Sequence, residues 1–234
     1  MAKLFQHGTL AMLVDGLFDG TIYAKDLLKQ GDFGIGTAQG LNGELIILDG
    51  VAYQALSNGT VEKLADDELI PFADVHHAHF NGEMEFNDIA MDNVADQLAR
   101  LVNYRNTFTA VKITGKFKQV KTRVVKKQSK PYPTLHQTAE EQVVFDGTDL
   151  VGTVVGYYSP DLYHGASVAG MHLHFIDENH QFGGHLLDFV TSDANISWEV
   201  LDGLDLNLPI ENQDFMNYKP SDLQSISDSI KKSE

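Results

Sequence analysis

Cysteine is absent from the 234 residues. That absence excludes disulfides, iron–sulfur clusters, thiolate-bound zinc and a cysteine nucleophile in one step. Positive charge is scarce: 17 Lys and Arg stand against 33 Asp and Glu, for a formal net charge of −16. With no basic surface to balance phosphates, neither nucleic acid nor an anionic membrane is an expected partner. No apolar run approaches the roughly 18 residues of a membrane span. No Gly-rich phosphate loop with a following Lys occurs, and no Gly-x-Ser-x-Gly elbow. ATP, NAD and serine-hydrolase chemistry therefore lack support. The segment Met1 to Val14 carries Lys3 and the short run Leu10 to Val14, with no cleavage site after it. It does not read as a signal peptide, and the expected location is the cytoplasm.

What is present is ordinary for a globular chain: 43 % apolar and 21 % charged residues, enough for a sizeable core. The first 30 residues read as two helical pieces, the second over about Thr21 to Gln30, ending at Gly31. Dense glycines from Gly31 to Gly50, with Phe33–Ile35 and Leu45–Leu48 between them, predict strands and tight turns. Val94, Leu98, Leu101 and Val102 share one face of a helix over about Asp92 to Asn103. Ala110–Phe117, Val120–Val125, Gln142–Phe145 and Leu150–Tyr157 then read as strands. Pro131 and Pro133 mark a rigid connection and a boundary near residue 135. The expected fold is α+β. A mixed sheet with helices over 1–135 packs against an antiparallel β-barrel part over 136–234, which carries a short C-terminal tail helix. In that tail Ser221 and Gln224 fit a capping box, and Leu223, Ile226 and Ile230 form one narrow apolar stripe.

The strongest chemical signal is Gly170-Met171-His172-Leu173-His174-Phe175-Ile176. His172 and His174 are two apart in a β-like context, so both point to one face. The turn Asp177-Glu178-Asn179 leads back through Phe182-Gly183-Gly184 to His185. In a hairpin, His185 lies across from the pair. Three imidazoles on one face suit a divalent metal such as Zn, Fe, Ni or Cu and leave it open positions. His76, His77 and His79 form a second His-rich stretch without a returning third ligand, and read as structural or surface residues. His180 lies in or beside the turn, and His164 in a loop. Glu44 opens Glu44-Leu45-Ile46-Ile47-Leu48 and shares a face with Ile46 and Leu48. A carboxylate on a buried face is an acid/base candidate. Arg123 is one of three arginines. It sits in the alternating Lys121-Thr122-Arg123-Val124-Val125 and can grip a carboxylate at two points, which Lys cannot.

Taken in order, several pieces resemble the bacterial α-acetolactate decarboxylase family. They are Gly31-Asp32-Phe33-Gly34-Ile35-Gly36-Thr37, Asn42-Gly43-Glu44-Leu45 with Leu48-Asp49-Gly50, Thr122-Arg123, Lys130-Pro131-Tyr132-Pro133, and Met171-His172-Leu173-His174-Phe175 with Gly183-Gly184-His185. The resemblance runs from about Thr9 to the tail. It implies a zinc enzyme that converts (S)-2-acetolactate to (R)-acetoin and CO₂ through a metal-stabilised enediolate. It implies His172, His174 and His185 as Zn ligands, Glu44 and Arg123 in the active site, Thr37 near the substrate, and a glutamate from the tail. The tail's only glutamate is Glu234. It also implies a homodimer of chains built from a mixed sheet and a β-barrel.

Two other readings use the same residues. A cupin-like metal oxygenase or isomerase would add a carboxylate ligand near the His-x-His, for which Glu178 is available. A non-enzymatic small-molecule-binding barrel would keep the pocket without needing Arg123 and an acid to converge on it.

Overall fold

A computed structural model of the chain describes residues 2–220 and Ile226. In chain order the strands are β1 (Lys3–His7), β2 (Ile22–Tyr23), β3 (Phe33–Thr37), β4 (Glu44–Leu48), β5 (Val51–Ala55), β6 (Val61–Lys63), β7 (Leu69–Ile70), β8 (Phe72–His76), β9 (Gly82–Asn87), β10 (Phe108–Val124), β11 (Val143–Ser159), β12 (Gly170–Asp177), β13 (Gly183–Leu201) and β14 (Gly203–Asn207). The helices are α1 (Leu10–Val14), α2 (Ala24–Leu27), α3 (Met91–Leu101), α4 (Leu135–Ala139) and α5 (Gln213–Asn217).

Two sheets carry the molecule. The first is seven-stranded, in the order β14-β1-β8-β3-β4-β5-β6. It is mixed because β14 runs parallel to β1 while its other pairs are antiparallel. The second is antiparallel, in the order β10-β11-β12-β13-β9, and β10 also pairs with β13, so four strands close into a cycle. This is the expected α+β architecture. Strands from both sides of residue 135 build the second sheet, and β14 returns to the first.

Two stretches expected to end at turns instead run on. Ala110–Phe117 and Val120–Val125 are one 17-residue strand, β10, whose register against β13 shifts around Phe117 and again after Lys121. Such irregularities let a long strand bend around a closed sheet without ending. Gln142–Phe145 and Leu150–Tyr157 likewise join in β11. The predicted helix over Thr21 to Gln30 shrinks to α2, because Ile22 and Tyr23 pair with β7 instead. Lys3–His7, read as helical, is a strand that β8 and β14 pair on either side. The helix read over Asp92 to Asn103 is α3, which buries Val94 and Leu98.

The sheets pack face to face. Phe33, Ile35 and Ile46 of the first meet Val155, Tyr157 and Ile176 of the second in one buried cluster. A second cluster, centred on Phe117, Phe175 and Phe189, fills the closed sheet under α3. Each such side chain contributes about 1.5–3 kcal/mol when fully buried. α1 and α4 are each capped by a threonine: Thr9 accepts from the Met12 amide and Thr134 from the Gln137 amide. Their apolar faces, with Leu10, Leu13 and Leu135, gather in a third cluster that also takes in Ile226. Ile226, the one described residue of the expected tail helix, is helical and buried. The rest of that stretch, Glu234 included, lies outside the described residues.

Candidate active site

The hairpin of β12 and β13 forms as the spacing implies. Asp177 accepts the backbone amides of Gln181 and Phe182, each at 2.6 Å, which turns the chain back. His174 then stands directly opposite His185 in the antiparallel register. His185 is also in register with Arg123 on its other side, in β10. A Cβ on Gly184 would lie 2.8 Å from the Arg123 carbonyl oxygen, so glycine is what lets β13 close against β10 here. His172, His174, His185 and Arg123 thus come to one place from three neighbouring strands.

The three imidazoles form a compact triangle, with ring centroids 5.2 Å (His172–His174), 5.0 Å (His172–His185) and 5.5 Å (His174–His185) apart. One nitrogen from each lies within 4.8 Å of the other two. His174 shows how a ring is aimed. Its Nδ1 is 2.8 Å from the Leu45 carbonyl, which only accepts, so Nδ1 carries the proton and Nε2 keeps its lone pair. That Nε2 is buried and makes no hydrogen bond among the described residues. Glu44 Oε2 lies 3.6 Å from it. A buried nitrogen left without a partner is costly, and a cation shared with His172 and His185 would satisfy it. The donor set therefore fits a divalent metal.

Burial holds all three rings neutral. The pKa of His172 is pushed down to about 3, with the Arg123 guanidinium adding to the effect. Those of His174 and His185 lie well below the usual value for the same two reasons, together with their neighbours in the triangle. Neutral imidazole is the ligating form. It also gives stability a pH dependence. Above the unfolded value of about 6.5 these groups are neutral in both states, while below it the unfolded chain takes up protons first, so stability falls as the pH drops toward about 3. We expect the thermal midpoint of metal-free protein to fall less between pH 7 and pH 5 in His172→Gln than in wild type. Equal slopes would show that His172 is not held neutral.

Across the interface the first sheet supplies Glu44 and Thr37, which are paired with each other in β4 and β3. Both are buried and line the same pocket as the histidines and Arg123. The pocket is a narrow cleft of about 60 Å³. Its far wall is apolar: Leu10 and Leu13 of α1, Leu41, Phe72, Val125, and Leu135 of α4. Thr37 donates its hydroxyl to the Gly43 carbonyl at 2.8 Å, so its lone pairs are what it presents to a ligand. Arg123 is buried; its Nη1 donates to Gln142 Oε1 at 3.0 Å, and its Nη2 lies 3.2 Å from His185 Nε2.

A family model described as alpha-acetolactate decarboxylase matches residues 4–221. The chain belongs to the alpha-acetolactate decarboxylase family. It is 37 % identical over 218 residues to the alpha-acetolactate decarboxylase of Lactococcus lactis subsp. cremoris, covering 92 % of each chain. Against the Bacillus subtilis enzyme it is 34 % identical over 220 residues, covering 93 % of this chain and 85 % of the other. The crystal structure of alpha-acetolactate decarboxylase from B. subtilis superposes with a TM-score of 0.95 at 32 % identity, over 99 % of each chain. A Staphylococcus aureus protein of unknown function, described as similar to alpha-acetolactate decarboxylase, superposes at 0.96 with 34 % identity, again over 99 % of each. As a member of the alpha-acetolactate decarboxylase family, the chain is a decarboxylating lyase.

The other candidates fall elsewhere. Glu178 is exposed, so the carboxylate ligand that a cupin-like site would need is not brought to the triangle. His180 stacks on Tyr53, with centroids 4.3 Å apart. His76 is buried between Tyr157 and Glu199, its Nδ1 2.9 Å from the phenol oxygen and its Nε2 3.4 Å from the carboxylate. His77 and His79 are exposed. Sequence reasoning missed the apolar wall and Gln142. The wall's residues read as ordinary core, and Gln142 follows Glu140 and Glu141 as one more polar residue after a helix.

No helix among the described residues is long and apolar enough to cross a membrane.

Proposed function

We propose that this chain decarboxylates (S)-2-acetolactate to (R)-acetoin and CO₂, with Zn²⁺ held by His172, His174 and His185. The observation that carries the reading is the triangle of neutral histidines beside a buried arginine and a buried glutamate in one pocket. Acetolactate is a β-keto acid with a hydroxyl on the carbon that bears the carboxylate. Loss of CO₂ leaves an electron pair on that carbon, and one proton must be added. His172, His174 and His185 would hold the divalent cation, which would supply a Lewis acid where negative charge develops on the substrate's oxygens.

The chain's own residues do the rest. Arg123 orients the departing carboxylate, its guanidinium facing the pocket beside His185. Glu44 reaches the pocket from the opposite sheet and delivers the proton to one face of the carbon, which sets the product's hand. Glu234 is the second candidate acid; the resemblance supports it, and it lies outside the described residues. The apolar wall of Leu10, Leu13, Phe72 and Leu135 keeps water away and accommodates the substrate's methyl groups. Thr37 offers its lone pairs to a substrate hydroxyl.

A homodimer belongs to the same proposal, on the strength of the resemblance alone, and sedimentation at micromolar protein tests it. A cytoplasmic location is likewise proposed. The net charge of −16 supports a small-molecule substrate without nucleic-acid or membrane partners.

Two tests follow directly. Dialysis against a chelator should abolish CO₂ release from acetolactate and added Zn²⁺ should restore it; turnover that persists in metal-free protein would contradict the reading. Glu44→Gln keeps the shape and removes the proton. It should fold, retain metal and lose acetoin formation by roughly 10²-fold or more. Normal rates and normal (R)-acetoin from this variant would leave Glu44 as a strand-end residue only.

A further inference from the structure

We infer that Gln142 is a positioning residue that sets the Arg123 guanidinium for the substrate carboxylate. The inference rests on the reading of Arg123 as the carboxylate's partner and adds what holds it. The observation is the contact of Arg123 Nη1 with Gln142 Oε1 at 3.0 Å, while Nη2 reaches toward the histidine triangle, 3.2 Å from His185 Nε2. A neutral imidazole has one lone pair, which His185 gives to the metal in the loaded protein, so Gln142 is what fixes one arm of the guanidinium while the other faces the histidine triangle.

Why this matters follows from the side chain. Arginine has large rotamer freedom, and a two-point grip on a carboxylate works only with the plane held in one orientation. Functional groups need to be held within roughly 10–20° of the productive geometry. Gln142 is well placed to do this. It is half-buried, and its backbone N–H donates to the Ala139 carbonyl at 3.4 Å as α4 ends. The next residue, Val143, opens β11 in register with Val124, and Val144 stands opposite Arg123 itself. Gln142 is thus anchored between the helix that forms part of the pocket wall and the strand that flanks Arg123.

The residue type is informative. A glutamine oxygen accepts from the guanidinium without cancelling its charge. A glutamate in the same place would neutralise it and compete with the substrate for the same donors. The site needs an arginine that is oriented yet still positive, and a neutral acceptor meets both conditions.

The experiment compares wild type, Gln142→Met, Gln142→Glu and Arg123→Ala as metal-loaded proteins. Calorimetry measures the binding of lactate, a 2-hydroxy acid with a carboxylate, and of acetoin, which has none. Kinetics with acetolactate and the melting temperature are read alongside. Gln142→Met keeps the length and removes the acceptor. It should weaken lactate roughly tenfold, lower kcat/KM by a similar factor, and leave acetoin binding and melting temperature unchanged. Gln142→Glu should weaken lactate further. If Gln142→Met binds lactate as wild type does, or weakens lactate and acetoin alike, the positioning role is overturned. Arg123→Ala separates the two layers. Weakened lactate in Arg123→Ala with wild-type lactate binding in Gln142→Met removes Gln142 alone, whereas unchanged lactate in Arg123→Ala removes the carboxylate assignment beneath it.

Discussion

His174→Ala should yield a folded protein that neither holds a metal nor releases CO₂. The expectation is strongest at this residue because its geometry is fixed from both ends. The Leu45 carbonyl holds the proton on Nδ1, and the antiparallel register sets the ring against His185. Removing it takes away one of three ligands and the support that aims that ligand. Ligand loss from a site with only three protein donors should lower affinity by at least the 10–100-fold seen for changes one shell further out, and by far more where the site must also stay open for substrate. His77→Ala and His79→Ala should leave the metal content unchanged, because both side chains are exposed and outside the pocket. Elemental analysis of the purified proteins decides the matter. Full occupancy in His174→Ala would place the metal elsewhere.

Arg123→Lys should cost turnover roughly 10²-fold or more while leaving metal content unchanged. The substitution preserves the charge, so a purely electrostatic role would survive it. It removes the planar fork, and with it the simultaneous contacts to Gln142 and toward His185. An ammonium at the end of a flexible stem cannot hold a carboxylate in one plane while keeping a second partner. Steady-state kinetics on metal-loaded protein are the check, and wild-type rates in Arg123→Lys would show that orientation is not what Arg123 contributes.

The histidine hairpin was legible because period-two alternation and one turn fix where side chains face. His172 and His174 two apart, and a return past a short turn to His185, left little freedom for the third ring. Glu44 was legible on the same ground: its alternation with Ile46 and Leu48 put it on the face of β4 that packs against the second sheet, although the other face of β4 is buried as well. Strand ends were harder to read. Gly115 to Gln119 and Gly147 to Asp149 carry turn residues, but pairing on both sides carries β10 and β11 through them. Lys3–His7 likewise has no strong strand pattern of its own, and is made a strand by β8 and β14, whose pairing is long-range. Gln142 was invisible for a related reason. Nothing near it in the chain indicates that the Arg123 guanidinium will reach its side chain, since that contact depends on the register of β10 with β11. The apolar wall was hidden differently. Leu10, Leu13 and Leu135 have the pattern of any buried helix face, and only the fold shows that this face closes over a pocket.

The most direct test is a single incubation of purified, metal-loaded protein with racemic acetolactate, with CO₂ and both enantiomers of acetoin measured over time, in parallel with a chelated sample. The account predicts that one CO₂ is released for each acetoin formed, that (R)-acetoin from the (S)-substrate dominates the early product, and that the chelated sample releases CO₂ no faster than buffer. Racemic acetoin from the loaded protein, or equal rates with and without chelator, would contradict it.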